Sequence, residues 1–168
     1  MDQKKSRLWD TILLRDHRND AREMLAFLRA FPLFRSLSKR ELRSIAAIIH
    51  KRDYQEGEYI FRKGQPGAAM FIIRAGEVEI IDHDGQDQET TLATLGADAF
   101  FGELALLDDS PRSATARART TTEIYALFRT DLDRLMGAIP QIGLQVYRSL
   151  AQIIGSRLKE TNAQLFHQ

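Results

Sequence analysis

From Phe100 to Ala118 the chain reads FFGELALLDDSPRSATARA, and its residue types suit capture of a small anion that also carries a hydroxyl. Gly102 has no Cβ, so the backbone there can approach a ligand closely and adopt a left-handed conformation. The N–H groups that open the short apolar helix ELALL point at whatever precedes them, and the helix dipole favours negative charge at that end. Arg112 offers a planar fork that can meet two phosphate oxygens. Glu103 is ionised, and a carboxylate beside a phosphate is repulsive unless it accepts a hydrogen bond from a hydroxyl. One acceptor for a ribose 2′-OH, with donors for a phosphodiester, describes a ribose cyclic phosphate. The same two residues also admit a plain Glu103–Arg112 ion pair on a loop.

The stretch resembles the phosphate-binding cassette of the cyclic nucleotide-binding domain family, as in the bacterial catabolite activator protein and the regulatory subunits of cyclic-AMP-dependent kinase. The resemblance runs from about Leu33 to Leu165. YQEGEYIFRKGQPGAAMFIIRAGEVEII, Tyr54 to Ile81, is similar to the first half of that family's β-roll, with Gly57, Gly64, Gly67 and Gly76 at its glycine positions. Asp98-Ala99 departs from the Gly-Asp that usually precedes the aromatic pair. Carried over by position, the resemblance implies that Gly102, Glu103 and Leu104 lie on the ribose and backbone side of a cyclic nucleotide. It places Arg112 and Ser113 at the cyclic phosphate. SRLKETNAQL resembles the helix segment whose Thr-Ser pair reaches the adenine amino group from both subunits in the catabolite activator protein. Here the pair is Thr161-Asn162, and an amide, as donor and acceptor, can still bond a purine edge.

The composition frames this reading. A chain of 168 residues, 43% hydrophobic and 28% charged, is ordinary for a soluble globular domain with some helical extension. A net charge of +1 argues against a nucleic-acid-binding face. Without cysteine there is no disulfide, thiol nucleophile or thiolate metal site. The apolar runs are short of a membrane span, and the charged first thirty residues do not suit a signal peptide, so a cytoplasmic protein is expected.

The elements that must position the cassette follow from periodicity. Leu8, Trp9, Ile12 and Leu13 form one apolar helical face; Met24, Leu25, Phe27, Leu28 and Phe31 form another, ended by Pro32. Ser38-Lys39-Arg40-Glu41 is a capping box opening a helix with Leu42, Ile45, Ala46 and Ile49 inward. From Glu58 to Phe128 short runs such as EYIF, MFII, EVEII and EIYALF alternate with turn signals, Asp82-His83-Asp84-Gly85 being a hairpin turn, which suggests a barrel or sandwich. Thr130-Asp131-Leu132-Asp133 caps a short helix, and Pro140 begins a long one reaching about Phe166, on the order of 40 Å. That helix carries one apolar stripe including Ile142, Val146, Leu150 and Ile153. A second stripe, Tyr147, Ala151, Ile154, Leu158, Thr161 and Leu165, is spaced as a heptad seam. Buried against the roll, the first stripe would leave the second to a partner; a single wide stripe buried within one chain is the alternative.

The expected architecture is therefore α+β: an antiparallel, jelly-roll-like β-roll over about 53–128, N-terminal helices, and C-terminal helices over 130–166. Residues 1–35 form a helical extension and 36–168 the nucleotide-binding domain. His17, His50, His83 and His167 lack metal-ligand spacing and are expected on the solvated surface, as are Arg117 and Arg119 and, in a turn, Asp108-Asp109. No nucleophile elbow, P-loop or dinucleotide fingerprint appears, so no enzyme and no metal are expected. The reading is a regulatory sensor that binds cAMP, with cGMP second, dimerises through the last helix and signals to an effector protein. Alternatives are an interaction module of the same fold without a ligand, and the sensor part of a transcription regulator; after Gln168 no recognition helix is offered.

Overall fold

A computed structural model describes residues 20–83 and 89–166, apart from the side chains of 83 and 164–166. The residues group into two compact units, one running Ile48–Gly137 and the other made of the helices before and after it in sequence.

The central unit is the expected β-roll, built as two antiparallel four-stranded sheets rather than a closed barrel. The strands are β1 (Ile49–Tyr54), β2 (Tyr59–Phe61), β3 (Ala69–Ala75), β4 (Val78–His83), β5 (Glu89–Leu95), β6 (Phe100–Phe101), β7 (Thr115–Ala118) and β8 (Thr122–Phe128). Their order is β1-β8-β3-β6 in one sheet and β2-β7-β4-β5 in the other. Side chains of both sheets share one core: Ala69, Phe71, Ile73, Phe101, Ile124 and Ala126 from the first, Val78 and Ala116 from the second. Met70 and Ile72, which alternate with them along β3, are also fully buried. Burial on both faces explains why that strand reads as an unbroken apolar run.

The turn from β3 to β4 requires glycine. Gly76 has φ 88°, and a Cβ there would stand 2.5 Å from the Thr121 carbonyl oxygen. β4 and β5 pair from Val78↔Leu95 to His83↔Glu89, as a hairpin demands, but Asp82 and His83, expected in the turn, are the last ladder residues of β4, while Asp84 and Gly85 lie outside the described residues. After β8 comes α3 (Arg129–Ala138). Its Asp131 lies 3.0 Å from Nε2 of His50, so this histidine, although 43% exposed, has a carboxylate partner: strand pairing places it beside the first turn of this helix. Among the described residues no cluster of His, Cys, Asp or Glu could hold a metal ion.

The other unit contains α1 (20–30), a 3₁₀ turn at Pro32–Phe34, α2 (Lys39–Ala46) and α4 (Pro140–Phe166). The capping box at α2 is complete: the Glu41 N–H donates to Ser38 Oγ at 3.3 Å, and the Ser38 N–H donates to Glu41 Oε2 at 2.7 Å. α2 stops at Ala46, however, and Ile49 is the first residue of β1, opposite Leu127. Ile49 keeps the helical spacing, but a β-branched residue with a ladder partner belongs to the strand rather than to a fourth inward helical position. In α4 the first stripe is buried at Ile142, Val146 and Leu150. The second is not: Leu158 is 59% exposed, and Leu144, three residues before Tyr147, is 71% exposed and extends the same seam by one position. Leu8, Trp9, Ile12 and Leu13 lie outside the described residues.

Candidate functional site

The cassette begins where β6 ends. Gly102 takes φ 70°, ψ 19°, and turns the chain into a 3₁₀ helix at Glu103–Leu106. A Cβ at Gly102 would come within 2.6 Å of Arg112 Nη1, so glycine is needed for space as well as for conformation. The ELALL helix is thus a single tight turn. Its dipole is correspondingly small, and attraction for an anion must come chiefly from Arg112.

Arg112 is held by main chain and side chain together. Its N–H donates to the Gln65 carbonyl and its carbonyl accepts from the Gly64 N–H, each at 2.8 Å, beside a β-bridge between Pro66 and Pro111. The β2–β3 loop so clamps the cassette, and Gly67 lets the two approach: a Cβ there would be 3.0 Å from the Ser110 carbonyl oxygen. The guanidinium donates to the Gly102 carbonyl at 3.2 Å through Nη1 and to the Ala69 carbonyl at 2.7 Å through Nη2. It rests on an aromatic shelf, its Cζ 4.1 Å from the Phe61 ring centre and 5.5 Å from that of Phe71. Phe61, Phe71 and Phe101 pack together with centroid separations of 5.4–5.8 Å.

This arginine is a buried cation in want of an anion. It is 9% exposed, its Nε is buried without a hydrogen-bond partner, and burial lowers its pKa. Among the described residues no carboxylate pairs with it, which removes the plain Glu103–Arg112 ion pair. Burying an unpaired charge is expensive, and the cost falls if a ligand phosphate arrives.

Gly102, Glu103, Leu104, Arg112 and Ser113 line one cavity of about 300 Å³, together with Phe61, Ile80 and Ala114. The sequence reading missed the apolar walls; the apolar period of YIF and EVEII was the available signal. Thr161 and Asn162 are not brought to this cavity's lining: they sit on an exposed stretch of α4, in the other unit, and the Thr161 hydroxyl donates to the Arg157 carbonyl at 2.9 Å. The cassette's acidic residues are exposed, as expected of a solvated turn, and have local partners. Asp108 lines the cavity and accepts from the Ser110 N–H at 3.0 Å, while Arg129 bonds the Asp108 carbonyl and the Asp109 carboxylate. Arg117 is only 26% exposed and pairs with Glu79 and Glu89, which hold its pKa up. Arg119, more exposed, pairs with Glu77.

Where the family pattern has glycine, Asp98 adopts φ 65° and preserves the left-handed turn into β6. Its N–H donates to the Ile73 carbonyl at 3.0 Å, and the Ile73 N–H returns a bond to the Ala99 carbonyl at 2.9 Å. Aspartate is among the few residues that tolerate this conformation.

A β-roll with a clamped cassette and a buried arginine defines a cyclic nucleotide-binding fold. The chain belongs to the cyclic nucleotide-binding domain family, whose model matches residues 51–138. It is similar to the cyclic AMP receptor protein of Thermus thermophilus, at 35% identity over 138 residues, 82% of this chain and 62% of that protein. It is also 37% identical over 131 residues to the cAMP-dependent protein kinase regulatory subunit of Blastocladiella emersonii, covering 77% of this chain and 32% of that one. The chain thus spans less than two thirds of either relative. A solved cyclic nucleotide-binding domain from Methylobacillus flagellatus superposes with a TM-score of 0.75 at 27% identity, covering 88% of this chain and 83% of its own.

Proposed function

We propose that this chain is a cAMP-binding regulatory module that works as a homodimer and passes occupancy to an effector protein through α4. The observation that carries the reading is Arg112, a buried guanidinium with an unpartnered Nε on the wall of a cavity large enough for a nucleotide. In this reading the cyclic phosphate meets Arg112 and Ser113, and the ribose 2′-OH donates to Glu103. Gly102 and Leu104 shape the same wall. The relatives named for cAMP support adenine over guanine.

The exposed seam supports the dimer. Leu144 and Leu158 leave apolar surface at heptad spacing along α4, which a two-fold partner would cover. Among the described residues no helix is long and apolar enough to cross a membrane, and the proposal carries with it a cytoplasmic location. Calorimetric titration tests the reading: cAMP should bind one per chain, cGMP more weakly, and 2′-deoxy-cAMP more weakly than cAMP. No heat with either cyclic nucleotide would leave a fold without its ligand, and equal affinities would remove the adenine preference.

A further inference from the structure

We propose that Arg129, the first residue of α3, is a positioning residue of the cassette: its guanidinium fixes the turn 107–110 against the roll and so holds Asp108 in the cavity wall. The inference rests on the nucleotide reading of that cavity. Arg129 itself does not line the cavity, and it lies beyond the stretch 100–118 that carries the anion-binding residues.

Leu107, Asp108, Asp109 and Ser110 are all exposed and belong to no helix or strand. Such stretches open readily unless something holds them. Two of the turn's bonds are internal to the cassette: the Asp108 N–H donates to the Leu104 carbonyl at 3.1 Å, and the Ser110 N–H to Asp108 Oδ1 at 3.0 Å. The clamp from the β2–β3 loop begins only at Pro111 and Arg112. Among the described residues, the hydrogen bonds that reach 107–110 from outside the cassette come from Arg129, through Nη1 to the Asp108 carbonyl and Nη2 to the Asp109 carboxylate. The base of this side chain is itself fixed. The Arg129 N–H donates to the Ala68 carbonyl at 2.9 Å, and the next carbonyl, that of Ala69, accepts from Arg112 Nη2 at 2.7 Å. Both arginines thus tie the cassette to the start of β3. The Arg129 side chain is 22% exposed against 92% for Asp109, so the better-packed partner is the one that fixes the other. A two-point grip on a carbonyl and a carboxylate needs donors in a fixed plane, which a guanidinium supplies and an ammonium does not. A turn ordered beforehand removes part of the ordering cost from ligand binding.

Hydrogen exchange and calorimetry together test the assignment. Without nucleotide, amide exchange over 107–110 should be several-fold faster in Arg129→Ala than in wild type, with far-UV circular dichroism unchanged. In calorimetry Arg129→Ala should weaken cAMP by about fivefold to tenfold, and Arg129→Lys should recover little of that loss. Asp109→Ala separates position from charge. Removing an exposed carboxylate beside an anion site favours the anion by charge alone. Loss of the tie should instead weaken cAMP about twofold to threefold, the size of one exposed ion pair. Asp109→Asn, which keeps an acceptor, should stay close to wild type, and the double alanine variant should bind no more weakly than Arg129→Ala. Unchanged exchange in Arg129→Ala overturns the proposal. Faster exchange with wild-type cAMP affinity overturns it too, as does an Asp109→Ala variant that binds cAMP as well as wild type or better. If wild type takes up no cyclic nucleotide, the functional reading fails, whereas the exchange result by itself still upholds or overturns the ordering of the turn by Arg129.

Discussion

In the proposed reading, Arg112 carries most of the binding chemistry. Its guanidinium holds two backbone carbonyls and an aromatic shelf yet keeps one buried N–H without an acceptor, an arrangement that a bound phosphate would complete. Removing one partner of a buried charged pair costs about 2–5 kcal/mol. Arg112→Ala should therefore weaken cAMP at least tenfold in calorimetry, and the rise in melting temperature on adding ligand should shrink accordingly. Arg112→Lys should not recover it, because a point charge cannot reproduce the fork. Near-wild-type affinity in the alanine variant would remove Arg112 from the site. Asp98 makes a smaller and opposite prediction. An aspartate at φ 65° carries strain that glycine lacks, so Asp98→Gly should stabilise the fold by about 0.5–1 kcal/mol, read as a higher denaturation midpoint. A lower midpoint would mean that the aspartate side chain contributes more than its backbone costs.

At the scale of elements, the same logic separates caps from clamps. The Arg112 end of the cassette is placed by the β2–β3 loop through paired backbone bonds at Gln65 and Gly64, so its position does not depend on side-chain chemistry. The start of α2 does. Glu41 accepts hydrogen bonds from the Ser38 side chain and backbone, and these lower its pKa. A carboxyl whose folded pKa is depressed stabilises above its unfolded value, about 4.3, and loses that contribution as pH falls through the folded value. Ser38→Ala should cost about 1 kcal/mol at neutral pH, the usual worth of an N-cap. It should also flatten the acid limb of the stability curve below about pH 4.3. Parallel acid limbs for wild type and variant in urea titrations would show that Glu41 does not depend on Ser38.

For the whole molecule, the exposed seam on α4 gives the dimer its test. Leu158→Asp would set like charges opposite each other across a two-fold contact, so light scattering should report monomers where the wild type gives dimers. If nucleotide binding and association are coupled, each must strengthen the other, and the variant should bind cAMP more weakly although Leu158 need not touch it. Monomers with unchanged affinity would keep the dimer and cut its link to the ligand. A wild-type protein that is monomeric with cAMP bound would refute the dimer.

The sequence by itself determined what depends on near neighbours. Glycines at Gly57, Gly64, Gly76 and Gly102 all adopt positive φ, since backbone sterics are a property of one residue. The Ser38–Glu41 box and the Pro140–Phe166 helix appear as read, because capping and helical period act within a few positions. The cassette was legible because its side chains lie in one contiguous stretch. Tertiary structure alone decided which charges are satisfied. Arg112 finds Ala69 forty-three residues away, and His50 finds Asp131 eighty-one away. Arg117 finds Glu79 across a strand pair, where sequence suggested only solvent. Such partners are set by strand order and register, which side-chain period cannot encode, and the same is true of burial: Ile49 kept helical spacing but took a place in a sheet because Leu127 lay opposite.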